Sequence, residues 1–149
     1  MSSSIATVMW LGAKYTKRGL TMKSLTFWSS HIDDETLLNE VMTGLKTATC
    51  TPMIWYYNNP EEEPTEVGDY IAVFNNHGIH RCTIQITENY EIPYGMIDIR
   101  VAKGENYTSL EEFIDDHNKC WKYDFLDAGI ALTEDTVIVV EHFELIEVI

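Results

Sequence analysis

The segment Gly44-Leu45-Lys46-Thr47-Ala48-Thr49 places an amine and a hydroxyl three residues apart, directly after a predicted helix. In a regular strand, positions i and i+3 point to opposite faces, whereas a turn or a helix end brings them together. A lysine amine held partly out of water favours its neutral form and would take the proton of a threonine hydroxyl, which is a poor nucleophile without a base. The segment therefore indicates nucleophilic chemistry by Thr49 with Lys46 as its base. The alternative is a solvated lysine at a helix terminus, followed by a β-forming threonine.

The element that precedes this segment is a helix predicted after Asp33 and Asp34. Apolar residues recur there at helical spacing, and the two acids lie at the end that the helix dipole favours. The apolar positions are Leu37, Leu38, Val41, Met42 and Leu45. Gly44 suits the residue after the helix end, and Leu45 would supply the apolar contact of a Schellman ending. A short strand over residues 46–51 follows.

Further elements are predicted from alternation and capping patterns. Two antiparallel strands cover Tyr70–Phe74 and Ile79–Thr87, with a turn between them. A second helix begins at two overlapping capping boxes and runs to about Tyr123, and a β-branched strand covers Thr136–Ile149. The capping boxes are Thr108-x-x-Glu111 and Ser109-x-x-Glu112, and the apolar face is Leu110, Phe113, Ile114, His117 and Trp121. This order predicts an α+β fold, a small antiparallel β-barrel flanked by two or more helices.

The charge of the chain limits its partners. It has 149 residues with 24 acidic and 10 basic side chains, a net charge of −14. We predict an N-terminal arm or extension over residues 1–23 and a single domain over residues 24–149. Because all 24 acids but only six basic residues lie in the domain, its balance is −18. This balance would repel a phosphate backbone and disfavours RNA, but not a small, nearly neutral ligand.

The remaining composition predicts a cytoplasmic protein without membrane contact. No window approaches the ~20 consecutive apolar residues that a membrane-spanning helix needs. The apolar stretch Ile5–Ala13 is followed, not preceded, by positive charges, unlike a signal peptide. The cysteines Cys50, Cys82 and Cys120 form no C-x-x-C pair and fit buried thiols in a reducing compartment.

Gly44-x-Lys46-x-x-Thr49 resembles the G-x-K-x-x-T signature of the ASCH domain, a β-barrel family of the PUA-like superfamily. Other landmarks of the family follow in the expected order, so that the resemblance spans roughly residues 27–148. They are Val67-Gly68-Asp69, Gly104-Glu105 with Ser109-Leu110, Phe113 with His117, and Glu141-x-Phe143.

The family includes bacterial amidohydrolases that remove acetate from N4-acetylcytidine. The resemblance implies that Thr49 attacks the acetyl carbonyl, that Lys46 is its base and later protonates the leaving amine, and that Glu105 orients and charges Lys46. It thus implies a hydrolase of N-acylated nucleosides that needs no cofactor. The smallest such enzymes carry Arg where this chain has Thr51, and they lack the long segment between residues 52 and 66.

A second function stays open, because the PUA-like fold is shared with RNA-binding proteins and some larger ASCH proteins are described as ribonucleases. The alternative is an RNA-binding or RNA-cleaving module without amidase activity. A local basic groove of the N-terminal arm with Lys46, Arg81 and Arg100 would support it. A catalytically silent interaction domain is a third possibility.

Four more side chains are candidate ligand contacts. Trp55 and Tyr56 would stack on a flat base, or else pack onto the barrel. Arg81 would meet a ligand phosphate or carboxylate, or else form a surface ion pair. His117 would border the pocket, or else be a hydrogen-bonded core histidine. No metal site is predicted, because His77 and His80 have no further ligand at short range.

Overall fold

A six-stranded sheet is the framework of the protein in the computed structural model, which describes residues 7–28, 33–57 and 64–149. The strands are β1 Thr7–Lys17, β2 Leu20–Trp28, β3 Ala48–Pro52, β4 Tyr70–Phe74, β5 His80–Pro93 and β6 Val137–Val148. Their order is β1-β2-β4-β5-β6-β3, and β2 with β4 is the parallel pair. Residues 1–6 of the predicted extension and residues 58–63 of the long segment between residues 52 and 66 lie outside the described residues.

The N-terminal segment contributes to this sheet. β1 pairs with β2, and β2 crosses the predicted boundary at residue 23 and pairs with β4. The sequence of this segment has no clear period, because both strands mix polar and apolar residues without alternation.

Four helices within the described ranges pack on the sheet. They are α1 Thr36–Met42, α2 Met53–Tyr56, α3 Ile99–Gly104 and α4 Leu110–Asp127. The Ser109 side chain caps α4 as predicted, accepting a hydrogen bond from the Glu112 N–H at 3.1 Å. None of these helices is long and apolar enough to cross a membrane. The short helices α2 and α3 were not predicted from the sequence.

The end of α1 follows the prediction only in part. Gly44 has a φ of +80°, the left-handed conformation expected of a glycine after a helix end. The predicted apolar contact of Leu45 is wrong, because this side chain is 56% exposed. Instead, the Lys46 N–H donates to the carbonyl of Glu40 at 3.0 Å, and the turn directs Lys46 inward.

Two apolar clusters fill the two sides of the sheet. α1 covers the cluster on one side, which includes Leu25, Ile71 and Phe143. α3 and α4 cover the other cluster, in which Phe113 and Phe125 share the core with Val140.

The predicted α+β class is confirmed. Within the described residues, β1 and β3 are the two ends of the strand order, and no pairing joins them. Closure of the sheet into a barrel, the finer part of the prediction, is therefore not confirmed.

Candidate functional site

Lys46 lies between α1 and β3, with its side chain on the free edge of β3. The Thr47 carbonyl accepts a hydrogen bond from the Phe143 N–H of β6, so the next carbonyl, that of Ala48, points away from β6. Lys46 Nζ donates to this Ala48 carbonyl at 2.9 Å. The residue is 2% exposed, which excludes the solvated lysine of the alternative interpretation.

Glu105 meets Lys46 from the other side. It follows the last residue of α3, and its Oε1 lies 3.2 Å from Lys46 Nζ. The approach depends on Gly104, since a Cβ there would lie 2.6 Å from the Ala48 Cβ. The Gly104 carbonyl also accepts from the Thr47 N–H at 2.7 Å, which fixes α3 against the start of β3. The structure thus brings Lys46 and Glu105 together across 59 positions of sequence.

The charges of this pair support one another. Burial raises the pKa of Glu105, but the Lys46 ammonium and the neighbouring His117 outweigh burial and lower that pKa to about 2. Burial and the nearby Glu105 carboxylate raise the pKa of the Cys50 thiol well above its ordinary value. At neutral pH Glu105 is therefore a carboxylate beside the neutral thiol of Cys50.

His117 lies on the far side of Glu105, in the apolar core. Its Nδ1 is 2.7 Å from the Phe113 carbonyl, and because a carbonyl only accepts, Nδ1 carries a proton. Its Nε2 is 3.5 Å from Glu105 Oε2, an ion-pair distance at which neither atom has a hydrogen bond within the described residues. The ring stacks on Phe113 with 3.9 Å between centroids. His117 is a core histidine, as the alternative interpretation holds, and it also borders the Lys46–Glu105 pair.

Thr49 lies on the sheet face opposite to that of Cys50. It pairs in register with Glu141 of β6, which pairs in turn with Asn89 of β5. Thr49 is 3% exposed, and its Oγ1 has no hydrogen-bond partner among the described residues. A buried hydroxyl without a partner is costly, so this position favours a bound polar group.

Glu141 is the most deeply buried carboxyl of this face, with a relative exposure of 0%. Its Oε2 accepts from the Thr65 hydroxyl and from the Tyr56 hydroxyl, the latter at 3.4 Å, while its Oε1 has no partner in the described chain. Burial raises the pKa of Glu141 to about 7, although the hydrogen bonds from Thr65 and Tyr56 oppose it. The Asn89 amide donates to the Tyr56 hydroxyl at 3.2 Å and to the Thr65 hydroxyl at 2.9 Å, and orients them.

The two aromatic residues predicted to contact a ligand, Trp55 and Tyr56, lie in different surroundings. The Trp55 ring packs on Phe125 of α4 with 4.9 Å between centroids, in agreement with the packing alternative. Tyr56 is buried and directs its hydroxyl to Thr65 and Glu141. Thus Tyr56 joins the polar group around Glu141.

Arg81 is not brought to this group. Its Nη1 lies 2.7 Å from Oε1 of Glu35, in agreement with the ion-pair alternative. Within the described ranges there is no group of three or more His, Cys, Asp or Glu side chains that could hold a metal ion.

A pocket of about 450 Å³ opens beside the C-terminal end of α4. Phe125, Leu126, Ile130 and Leu132 line it, and no predicted site residue does.

These landmarks agree with the comparison to known families. The model of the ASCH domain matches residues 23–147. The chain belongs to the ASCH domain family. Members of this family are generally linked to interaction with RNA or other nucleic acids, and the fold is consistent with the PUA-like superfamily.

Solved structures agree with the assignment. An ASCH domain from Lactobacillus crispatus JV V101 is 25% identical with a TM-score of 0.68, covering 82% of this chain and 77% of that one. The protein EF3133 from Enterococcus faecalis V583 is 23% identical with a TM-score of 0.63, covering 74% of this chain and 66% of that one. No curated protein matches the chain in sequence.

Glu141, Thr65 and Asn89 of this ASCH domain had no role predicted from the sequence. A signal for Glu141 was present, because it is a charged residue within the apolar run Val137–Phe143 of a predicted strand. Thr65 and Asn89 carry no such signal, because small polar residues are common in loops and at strand ends.

Proposed function

We propose that this ASCH domain hydrolyses the amide of an N-acylated nucleoside such as N4-acetylcytidine. The proposal rests on one observation: the buried Lys46–Glu105 ion pair is held at the start of β3 by the Ala48 carbonyl, and the next residue of that strand is Thr49 with its unpartnered hydroxyl. Such a combination supplies a nucleophile and a fixed charge in a site from which water is excluded.

In this proposal, Thr49 Oγ1 attacks the acyl carbonyl carbon. The oxyanion that develops needs a cation that is already in place, and Lys46 Nζ is held by Ala48 O and by Glu105. Glu105 is a positioning residue, since it acts on the substrate only through Lys46. The role of Lys46 as base for Thr49 stays a prediction.

The RNA alternative has the general association of the ASCH family in its favour. The charges of the described residues favour a small neutral ligand instead. Of the three cations in the predicted basic groove, Lys46 is buried with Glu105, while Arg81 and Arg100 form ion pairs with acidic side chains. These pairs would have to open before the cations could neutralise phosphates.

The test of the proposal is release of cytidine from N4-acetylcytidine, measured by chromatography. Thr49→Val should abolish turnover, because Val has nearly the shape of Thr without the hydroxyl. Lys46→Met and Glu105→Gln should each lower kcat/KM by roughly 10²-fold or more, the usual cost of losing one stabiliser of an oxyanion. A domain that retains labelled RNA with a steep dependence on salt, and releases no cytidine, would favour the RNA alternative.

A further inference from the structure

The carboxyl group of Glu141 has no role in the proposed reaction, although it is the side chain in register with Thr49. Directly opposed side chains on antiparallel strands have Cβ atoms about 4.5–5.5 Å apart. Thr49 Oγ1 and Glu141 Oε1 are both buried, and both lack a hydrogen-bond partner within the described residues. The two unpartnered atoms therefore share one face of the sheet.

Other groups hold Glu141 in place without occupying this oxygen. The Thr65 and Tyr56 hydroxyls donate to Oε2, and Asn89 orients both hydroxyls. Since two hydroxyl donors fix one oxygen of the carboxyl group, its other oxygen is not engaged by them. A carboxyl group held in this manner is arranged to exchange a proton through Oε1.

Lys46 is less suited to that exchange. Its Nζ donates to Ala48 O and to Glu105, which commits it to these two acceptors.

We propose that Glu141 is the general base that takes the proton of Thr49 Oγ1 and returns it to the leaving amine, with Lys46 as a fixed cation. This inference rests on the proposed amide hydrolysis. It names a catalytic residue that the G-x-K-x-x-T signature does not contain.

In the proposed reaction, Glu141 accepts each proton that is released and returns it in the next step. As Thr49 Oγ1 bonds to the acyl carbon, its proton moves to Glu141 Oε1. When the C–N bond breaks, Glu141 gives that proton to the nitrogen, and the amine leaves an acyl ester on Thr49. Water then attacks the ester and transfers a proton to Glu141, and this proton returns to Thr49 Oγ1 as the carboxylic acid departs.

The titratable groups around Glu141 come from three elements. Tyr56 of α2 donates to it, and Lys23 of β2 acts on it as a positive charge. Burial is the main cause of the raised pKa values of Tyr57 and Cys50, and the Glu141 carboxylate adds to both. The tyrosines and Cys50 have raised pKa values and stay neutral near pH 7, so the ionisation expected there is that of Glu141, whose pKa is about 7.

The first experiment is the pH dependence of kcat/KM for N4-acetylcytidine between about pH 5 and pH 9, where an essential base appears as a limb at its pKa. The rate should rise through a limb near pH 7 in the unmodified protein and in Lys46→Met. Glu141→Gln should lower the rate by roughly 10²–10⁴-fold and remove the limb. Glu91→Gln is the matched control, because it removes an exposed carboxylate of the neighbouring strand and should leave the profile unchanged. A limb that persists in Glu141→Gln, or disappears in Lys46→Met, would overturn the inference.

The second experiment does not require the proposed substrate. p-Nitrophenyl acetate acylates activated hydroxyl groups without recognition of a nucleoside, and mass spectrometry of a digest locates the acetyl group. Acetyl should be found on Thr49 in the unmodified protein and in Glu91→Gln, at a rate that rises through pH 7. Glu141→Gln should acetylate Thr49 at least roughly 10²-fold more slowly. Equal release of p-nitrophenol by Glu141→Gln, or release by the unmodified protein no faster than without protein, would refute the role of Glu141.

The two experiments separate the two proposals. If N4-acetylcytidine is not hydrolysed but Thr49 is acetylated in a manner that depends on Glu141, the substrate is wrong and the base is right. Thermal unfolding followed by circular dichroism checks that each variant folds. If Glu141→Gln does not fold, Glu141→Asp, which withdraws the carboxylate by one methylene, should still slow acetylation and keep the limb.

Discussion

Glu141 should make the stability of this protein depend on pH in the sense opposite to that of a salt-bridged carboxylate. Burial raises its pKa from the ordinary value of 4.5 to about 7 in the folded protein. Between these two values, the folded protein holds a proton that the unfolded chain has released. The free energy of unfolding therefore falls as the pH rises. The contribution is fully present below pH 4.5 and is lost as the pH rises to about 7.

The size of this effect follows from the two pKa values. A difference of one in pKa corresponds to about 1.4 kcal/mol, so the gap between 4.5 and about 7 corresponds to about 3 kcal/mol. Solvent does not screen the Glu141 carboxyl group, since its relative exposure is 0%. In Glu141→Gln the side chain does not titrate, and this part of the pH dependence should disappear.

The assay is urea unfolding of the unmodified protein, Glu141→Gln and Glu91→Gln across this pH window. The difference in free energy of unfolding between the unmodified protein and Glu141→Gln should change by about 3 kcal/mol between pH 4.5 and pH 7. Glu91→Gln should run parallel to the unmodified protein, because Glu91 is exposed. Parallel curves for Glu141→Gln would refute the reasoning, because they would mean that Glu141 ionises equally in the folded and unfolded chains.

Three further predictions concern the frame of the site. The Glu105 pKa falls from 4.5 to about 2 on folding, so its carboxylate adds about 3 kcal/mol to the free energy of unfolding above pH 4.5, and this contribution is lost as the pH falls to 2. Glu105→Gln should remove this loss, and urea unfolding between pH 4.5 and pH 2 checks it. The Asn106 amide donates to the buried Glu40 carboxylate at 3.1 Å, so Asn106→Ala should lower the free energy of unfolding by about 1–3 kcal/mol, as measured by thermal unfolding. Asn106→Gly also loses this hydrogen bond, but glycine suits the positive φ of 65° at this position, so no backbone strain should be added. Gly104→Ala should lower the free energy of unfolding by about 1–3 kcal/mol, because the new Cβ would lie 2.6 Å from the Ala48 Cβ of β3. Lys103→Ala, at an exposed neighbouring position, should lower it less. Equal losses for the two variants in urea unfolding would contradict this account.

Several elements were predictable because one local pattern decides each of them. The cap of α4 by Ser109 depends on residues three positions apart, and β4 depends on an apolar run with a turn on either side. The exit of α1 at Gly44 needed only a residue that tolerates positive φ. In these cases, local chemistry and the final fold agree.

The elements that were missed depend on distant parts of the chain. β1 and β2 show no alternation, and they are stabilised by pairing with each other and by the pairing of β2 with β4. The short α3 is held by Gly104 against Ala48, a contact between residues that are far apart in sequence. Such packing overrides local propensity, which is a weak guide for helices of this length.

The candidate site also has a part that was predictable from local sequence and a part that was not. Lys46, Thr49 and Glu105 were proposed from a motif, and the structure joins Lys46 to Glu105. The pairing of Thr49 with Glu141 depends on the register of β3 and β6, which no motif contains. Register is decided by the whole apolar pattern of a sheet, so this neighbour could be found only once the strands were paired.

The measurement that tests the account most directly is incubation of the purified protein and of Thr49→Val with N4-acetylcytidine, with cytidine followed by chromatography. The account predicts cytidine release by the unmodified protein and none above background by Thr49→Val, with the same melting transition for both proteins. Equal release by both proteins would contradict the assignment of Thr49 as nucleophile. No release by either protein would contradict the proposed hydrolysis of this substrate.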